Sequence, residues 1–353
     1  MNWSGIRTIV TYIQTTAPAS PIVGETWLQL GKLYVRDSTN TTWILISTLG
    51  YAPYGYILTN AVSGSLGVID RITFPFNSGT SSAVGNSLNS TAQGCGFNST
   101  LYGYIAGGFN GANFTNIHRV LFPFDSGTSS QVGIMSKTRS YAGGFNSSIH
   151  GFICGGSYGA SYYSTIDRVV FPFDSGTATA VGILAEVLDY SGGFNSSIHG
   201  FSTGGQVSGG NYSSNIERII FPFDSGTASI VGILNNTGYL ERANFNSSTH
   251  GYIAGGRGAA TYSNINRVLF PFNSGTATAA GVLSKSKYSL EQSNSSIYGY
   301  IIGGVISGGA NETFVERISF PFDSGTASTI GNINASATRC ISFDATDFVS
   351  IFV

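Results

Sequence analysis

The chain has 353 residues, 42% of them apolar, and a formal net charge of −1 from 16 basic and 17 acidic side chains. One large domain or two ordinary ones are possible, and with only 9% of residues charged there is no basic field to attract nucleic acid. The 24 Phe and 19 Tyr exclude a disordered chain, and the 48 Gly among short apolar runs point to turn-rich, all-β structure.

The first twenty residues, MNWSGIRTIVTYIQTTAPAS, lack the basic start and long apolar run of a secretory signal, and no segment has the apolar length that spans a bilayer. No membrane partner is expected. Residues 1–48 stand apart because they hold all three tryptophans, Trp3, Trp27 and Trp43. Pro21–Ser47 predicts three short strands joined by turns. Gly24, Glu25, Thr26, Trp27, Leu33, Tyr34, Val35 and Trp43 resemble a small module, G-[DE]-T-W … L-Y-V … W, frequent near the N-terminus of bacteriophage tail and fibre proteins. The resemblance implies an attachment or oligomerisation module, marked by Trp3, Trp27, Tyr34 and Trp43, that holds the rest of the chain to other virion proteins. A small β cap is the structural alternative.

From residue 49 onward one unit is written six times. The tripeptide FPF begins at Phe74, Phe122, Phe171, Phe221, Phe270 and Phe320, at spacings of 48, 49, 50, 49 and 50 residues. Each unit predicts four strands. Strand A ends at FNSS (Phe145–Ser148), B is GFICGG (Gly151–Gly156), C is IDRVVFPF (Ile166–Phe173) and D is TATAVGIL (Thr177–Leu184). Strand C is apolar in both alternation classes, Ile117, Leu121 and Pro123 against Val120, Phe122 and Phe124, so cover on both faces is expected. Four-stranded units of this length with Gly-Gly after one strand predict a six-bladed β-propeller, with seven blades the alternative. The GYIAGG step resembles the double-glycine strand of kelch repeats over roughly residues 50–353, although strand D offers Val and Ile where kelch repeats carry Trp. FPFDSGTAT beside GYIAGG also resembles repeats of marine phage structural proteins. The first unit opens at Tyr54–Asn60 with no FNSS before it. Its A strand is expected from the C-terminal end, where Phe343–Thr346 echoes FNSS, or from Thr42–Thr48.

An arginine stands three residues before every FPF: Arg71, Arg119, Arg168, Arg218, Arg267 and Arg317. A guanidinium ring suits sulfate, phosphate or carboxylate. Because Arg119 shares a strand face with Ile117 and Leu121, a structural ring with stems packed between sheets is the stronger expectation. The heads then need acceptors, such as carbonyls or the carboxylates Asp125, Asp174, Asp224 and Asp323; Asn77 and Asn273 replace two of these. Buried and paired, such a head makes Arg168→Ala cost on the order of 3 kcal/mol. FDSGT partly resembles the Asp-box of sialidases, with Pro for its Ser and no Trp after it, and reads as a C–D turn. His150, His199 and His250 share one A–B turn position with Tyr102 and Tyr298; spread one per unit, they are expected to pack on the next blade and not to converge on a metal. Cys95, Cys154 and Cys340 read as buried thiols. The N-x-S/T sequons read as turn chemistry. There is no paired acid and base, no nucleophile with its base and no phosphate loop, so no catalysis, cofactor or metal is expected.

In such a unit the A–B and C–D turns share one face, and the B–C and D–A loops share the other. The first pair repeats almost unchanged, whereas the second varies, as in FNGANFTN, SYGASYYST and QVSGGNYSSN. A fold constraint acts on every unit alike; an asymmetric ligand does not. Recognition is therefore expected on the variable face, through Phe114, Tyr158, Tyr162, Tyr163, Tyr212, Tyr262 and Phe314, with Tyr141, Tyr190, Tyr239 and Tyr288 in the D–A loops. The expected whole is an attachment module (1–48) and a kelch-like propeller (49–353): a non-enzymatic phage virion protein, fibre, knob or decoration subunit, made in the host cytoplasm. Its expected partners are other virion proteins, a host-surface glycan or protein, and further copies of itself. The alternatives are a secreted or surface lectin-like propeller and a glycan-processing propeller. The latter needs converging carboxylates and arginines, where the sequence offers the scattered Glu186, Asp189, Glu241, Arg242, Glu291 and Glu312.

Overall fold

The structure, a computed structural model, describes residues 12–13, 20, 25–29, 32–36, 39, 41, 43–48, 54–59, 67–89, 92–236, 240–335 and 341–345, in two compact units, Met1–Ala52 and Pro53–Val353. No helix occurs among the described residues. The first unit holds one four-stranded sheet in chain order, Tyr12–Ile13, Thr26–Gln29, Lys32–Arg36 and Trp43–Thr48. The last three pair antiparallel, while Tyr12–Ile13 adds a parallel edge opposite Trp27 and Leu28 that the sequence does not mark. Trp3 lies outside the described residues. Trp27, Tyr34 and Trp43 fall in the second, third and fourth strands.

The second unit is a β-propeller-like ring of small antiparallel sheets. In the second repeat strands A to D are Cys95–Asn98, Tyr102–Ala106, Asn116–Leu121 and Ser130–Ile134, bonded in that order. The fifth and sixth repeats match it, with A strands Ala243–Asn246 and Glu291–Asn294. The first repeat borrows its A strand from the C-terminal end: Ile341–Ala345 pairs with Tyr54–Thr59, Ile341 opposite Leu58 and Ala345 opposite Tyr54. Trp43–Thr48, the competing candidate, pairs with Lys32–Arg36 instead.

The third and fourth repeats run together. The third-repeat D strand extends over Thr179–Asp189 and pairs with the fourth-repeat B strand, His199–Val207, through Leu188↔Val207 and Asp189↔Gln206. One nine-stranded sheet results, so the described residues form four separate four-stranded blades in the ring, not the six or seven expected. Equal spacing of FPF implies equal units, but it says nothing of two strands long enough to meet at the rim.

The junctions between repeats explain the recurring residues. The A-strand phenylalanine lies against the second B-strand residue of the next repeat, which must be Gly: a Cβ on Gly151 would sit 2.4 Å from the Phe97 ring, and one on Gly200 2.1 Å from Phe145. The same ring stacks with its own B-strand aromatic and with the first Phe of the next FPF, as Phe97–Tyr104–Phe171 do with successive centroids 5.3 Å apart. Core clusters therefore mix neighbouring repeats, Tyr104 and Ile117 with Ile153, Val169 and Phe173. Each D strand carries a close-approach glycine too: a Cβ on Gly182 would lie 2.4 Å from Gly226 O, and one on Gly331 2.5 Å from Gly79 O. That last contact, with the Thr80–Asn332 bridge, joins the last repeat to the first and closes the ring.

Strand C departs from expectation twice. It stops at Val170, opposite His150, and FPF leaves the sheet with a cis Phe171–Pro172 bond, like all six copies. And Leu121 is 58% exposed, as are its counterparts Val170, Ile220 and Leu269 to similar degrees, at the end of the strand where the chain turns into FPF. Ile117 and Val120 are buried as two-sided cover requires.

Candidate functional site

The D–A loops are positioned by a ring of buried polar side chains one residue before each arginine: Asp70, His118, Asp167, Glu217, Asn266 and Glu316. Asp167 accepts from Ser136 N (2.8 Å) and Oγ (2.6 Å), Glu217 from Ala185 N (2.6 Å), Glu316 from Ser284 N (2.7 Å) and Asp70 from Asn334 N (3.1 Å). Ser136, Ser284 and Asn334 belong to the D–A loop of the preceding repeat, and Ala185 to the extended third-repeat D strand. Two of these carboxylates meet fully buried cations, Arg139–Asp167 at 2.7 Å and Lys287–Glu316 at 2.5 Å. The corresponding position in the third repeat is Leu188, in the extended D strand, and burial pushes Glu217 up to about 7. Burial drives His118 down to about 4.

These loops deliver the chain to the A strands, which touch one another in cyclic order and enclose a central channel. Among the described residues five non-glycine residues have positive φ: Gln93 (65°), Tyr141 (56°), Tyr190 (57°), Glu241 (55°) and Ser289 (56°). All five occupy one repeat position, the entry to strand A, and all five line the channel mouth. Neighbours are tied by backbone, Tyr141 N to Gln93 O (2.5 Å) and Leu290 N to Glu241 O (3.2 Å). The open space at the mouth is about 670 Å³ and continuous with solvent.

The mouth is asymmetric. On one side the Tyr141 and Tyr190 rings meet with centroids 3.9 Å apart above Gly143, Gly144, Gly192 and Gly193. On the other side stand Glu241, Arg242, Asn244, Glu291, Gln292 and Ser342. Glu241 accepts from Arg257 Nη2 (2.9 Å) and from Ser289 Oγ. Arg242 is buried and donates to the Thr203 carbonyl and hydroxyl. Burial raises Glu291 well above the carboxylate range, and its Oε2 accepts from Ser342 Oγ at 3.2 Å. Below the mouth the channel carries Asn98, Asn146, Asn195, Asn246, Asn294 and Asp344. Here the side chain on one strand accepts from the backbone N–H of the one before: Asn98 N to Asn146 Oδ1 (3.3 Å), Asn195 N to Asn246 Oδ1 (3.4 Å), Asn294 N to Asp344 Oδ2 (2.9 Å).

Of the D–A tyrosines, Tyr141 and Tyr190 thus converge, Tyr288 lies under the Arg257 guanidinium (4.7 Å) and Tyr239 falls outside the described residues. The B–C aromatics lie away from the mouth. Tyr158 and Tyr212 are exposed, and Phe114 is half-buried. Tyr162 donates to Gln206 Oε1 (3.2 Å), Tyr163 sits under Lys137 Nζ (4.9 Å), Tyr262 packs on the Phe194–Phe272 cluster and Phe314 lies under Lys285 Nζ (5.2 Å). Glu241, Arg242 and Glu291, scattered in sequence, share the mouth, whereas Glu186, Asp189 and Glu312 do not line it. The buried ring before the arginines escapes notice in sequence because its members differ in type; its signal is an interruption of apolar residues at one repeat position.

The arginines form a separate belt. Each Nη1 bonds the second FPF phenylalanine carbonyl of the next repeat, as Arg119 to Phe173 O (3.1 Å), Arg168 to Phe223 O (3.0 Å), Arg218 to Phe272 O (3.1 Å) and Arg267 to Phe322 O (3.2 Å), and the following Asp or Asn. Arg71 and Arg317 do the same with Asp125 and Asn77. Arg71, Arg119 and Arg317 also cover Tyr54, Tyr102 and Tyr298 at 4.2–4.4 Å. His150, His199 and His250 replace those tyrosines. Each lies near the aromatic two residues on in its own strand, His150 with Phe152 at 6.0 Å, and His150 also feels the charge of Asp224 in the next repeat. Cys95 and Cys154 are buried free thiols pushed up to about 12; Cys340 lies outside the described residues. No protein-family model matches the chain, and no curated protein matches it significantly.

Proposed function

We propose that this is a non-enzymatic recognition protein of a bacteriophage particle. Residues 1–48 would attach to other virion proteins, and the repeat ring would present its variable face to a host-surface glycan or protein. On this reading the nine-stranded sheet is two blades joined at the rim, and the ring is six-bladed, in keeping with six arginine steps and six FPF turns. One observation carries the recognition reading. Glycine would relieve the left-handed backbone at the channel mouth, yet five positions hold Gln, Tyr, Tyr, Glu and Ser there at a cost of about 1 kcal/mol or more each. A backbone held constant while its side chains vary is a display surface. The mouth carboxylates Glu241 and Glu291 bond neighbouring side chains, which favours binding over acid–base chemistry. The virion assignment rests on the GETWL … LYV … W and FPFDSGTAT resemblances. Mass spectrometry of purified particles tests it: stoichiometric presence is expected, and absence from particles of a phage that expresses the chain would overturn the assignment.

A further inference from the structure

The geometry points to the channel mouth as a binding site for the terminal residue of a neutral, hydroxyl-rich glycan, with Tyr141 and Tyr190 against the sugar and Gln292 and A-strand backbone on its hydroxyls. This deepens the recognition reading and rests on it. Each A strand pairs with its B strand alone and is an edge of its sheet, so the edges of all six face the channel. Exposed strand edges carry alternating N–H donors and C=O acceptors without charge. Around most proteins such edges are covered; here Gly144 and Gly193 line the mouth half-exposed and bring no side chain over their backbone, while Gly143 N is bonded to Ser191 Oγ (3.1 Å). The opposite wall adds the half-buried amide of Gln292, whose Oε1 accepts from Asn244 N (3.2 Å), while the Asn244 amide is buried and bonded to Thr203 and Arg242. Its charges are engaged within the protein, Glu241 by Arg257 and Ser289, and Arg242 by Thr203. Glu291 is buried, its Oε2 is engaged by Ser342 Oγ (3.2 Å), and burial disfavours its charged form. An anionic ligand would find no cation extended toward it, and an apolar one would cover the half-exposed Gln292 amide and the Gly144 and Gly193 backbone without bonding them. A pyranose offers an apolar ring face to the tyrosines and hydroxyls to both walls.

The test is titration of the full chain with neutral oligosaccharides of glucose, mannose and galactose, and with sialylated and sulfated oligosaccharides, followed by NMR saturation transfer. The variants are Tyr190→Gly, Gln292→Ala and, on the opposite face, Leu121→Ser. Tyr190→Gly removes the ring while relaxing the backbone, so folding is kept and its melting temperature is a built-in check. The expected result is binding of at least one neutral oligosaccharide, weakened about tenfold or more by Tyr190→Gly and by Gln292→Ala and unchanged by Leu121→Ser. Neutral-sugar binding that survives Tyr190→Gly, binding restricted to the acidic sugars, or binding of no sugar by the folded chain each overturns the inference. In any of those cases a chain found in particles, whose antibody blocks adsorption, leaves the recognition reading standing. A chain absent from particles removes the virion reading whatever the sugars do.

Discussion

At the scale of single residues the arginine belt shows how geometry revises a stability argument. Arg168 is 17% exposed and its partner Asp224 71% exposed, so solvent screens the ion pair and the Phe223 carbonyl is the better-shielded acceptor. The cost of Arg168→Ala then falls from the fully buried figure to about 1–2 kcal/mol, mostly a lost charged hydrogen bond and stem packing. Asp224→Ala should cost under about 1 kcal/mol, matching the two repeats that use Asn273 and Asn77 at this position. Urea denaturation of both variants checks the ranking; a larger loss from Asp224→Ala than from Arg168→Ala would reverse it. The belt was legible because one residue type recurs at one offset. The polar ring beside it was not, since Asp, His, Asp, Glu, Asn and Glu share only burial, and the contacts that its four carboxylates make to the preceding repeat need coordinates.

At the scale of elements the meaning of the repeated glycines depends on what the next repeat brings against them. Gly182 in the third-repeat D strand has a neighbour's backbone carbonyl, Gly226 O, 2.4 Å from where a Cβ would stand, with the Phe223 ring at 2.6 Å. Neither is the flexible end of a side chain, so Gly182→Ala must push two repeats apart and should cost about 2–4 kcal/mol through overpacking. Thermal unfolding measures it; a variant as stable as the parent would show that this junction is looser than described. Strand order and the A-to-D pattern could be read from alternation and turn formers, since those signals are local. Where strand C ends could not. Leu121 and Val170 have the composition of covered strand, yet both are exposed, because cover depends on segments distant in sequence.

At the scale of the whole molecule the closing junction differs from the others, and that difference sets a pH dependence. Elsewhere an A-strand Phe lies over the next repeat's B-strand Gly; between the sixth and first repeats Ser293 stands there, its Oγ near Gly55. Its hydroxyl donates to Asp344 Oδ1 (2.5 Å), and Asp344 holds the channel position that is Asn in every other A strand. The clasp was foreseeable from the FNSS echo at the C-terminus, and the merging of two repeats was not, because strand extension at the rim leaves no period. Burial pushes Asp344 up from 3.8 to about 7, against the bonds from Ser293 and Asn294 that pull it down. A carboxyl whose folded value is raised favours the protonated fold, so its stabilising contribution is full below about pH 4, declines as pH rises toward 7 and is gone beyond it. Asp344→Asn keeps an acceptor for Asn294 N and removes the titration. Relative to the parent it should gain stability steadily between pH 4 and 7, by about 1–2 kcal/mol after allowance for channel water at the carboxylate, and hold that gain to pH 8. Other titrating groups, His118 among them, act on both proteins alike and cancel in the difference. Chemical denaturation of both proteins at several pH values measures this, and parallel stability curves would mean that Asp344 is ionised in the closed ring across the whole range.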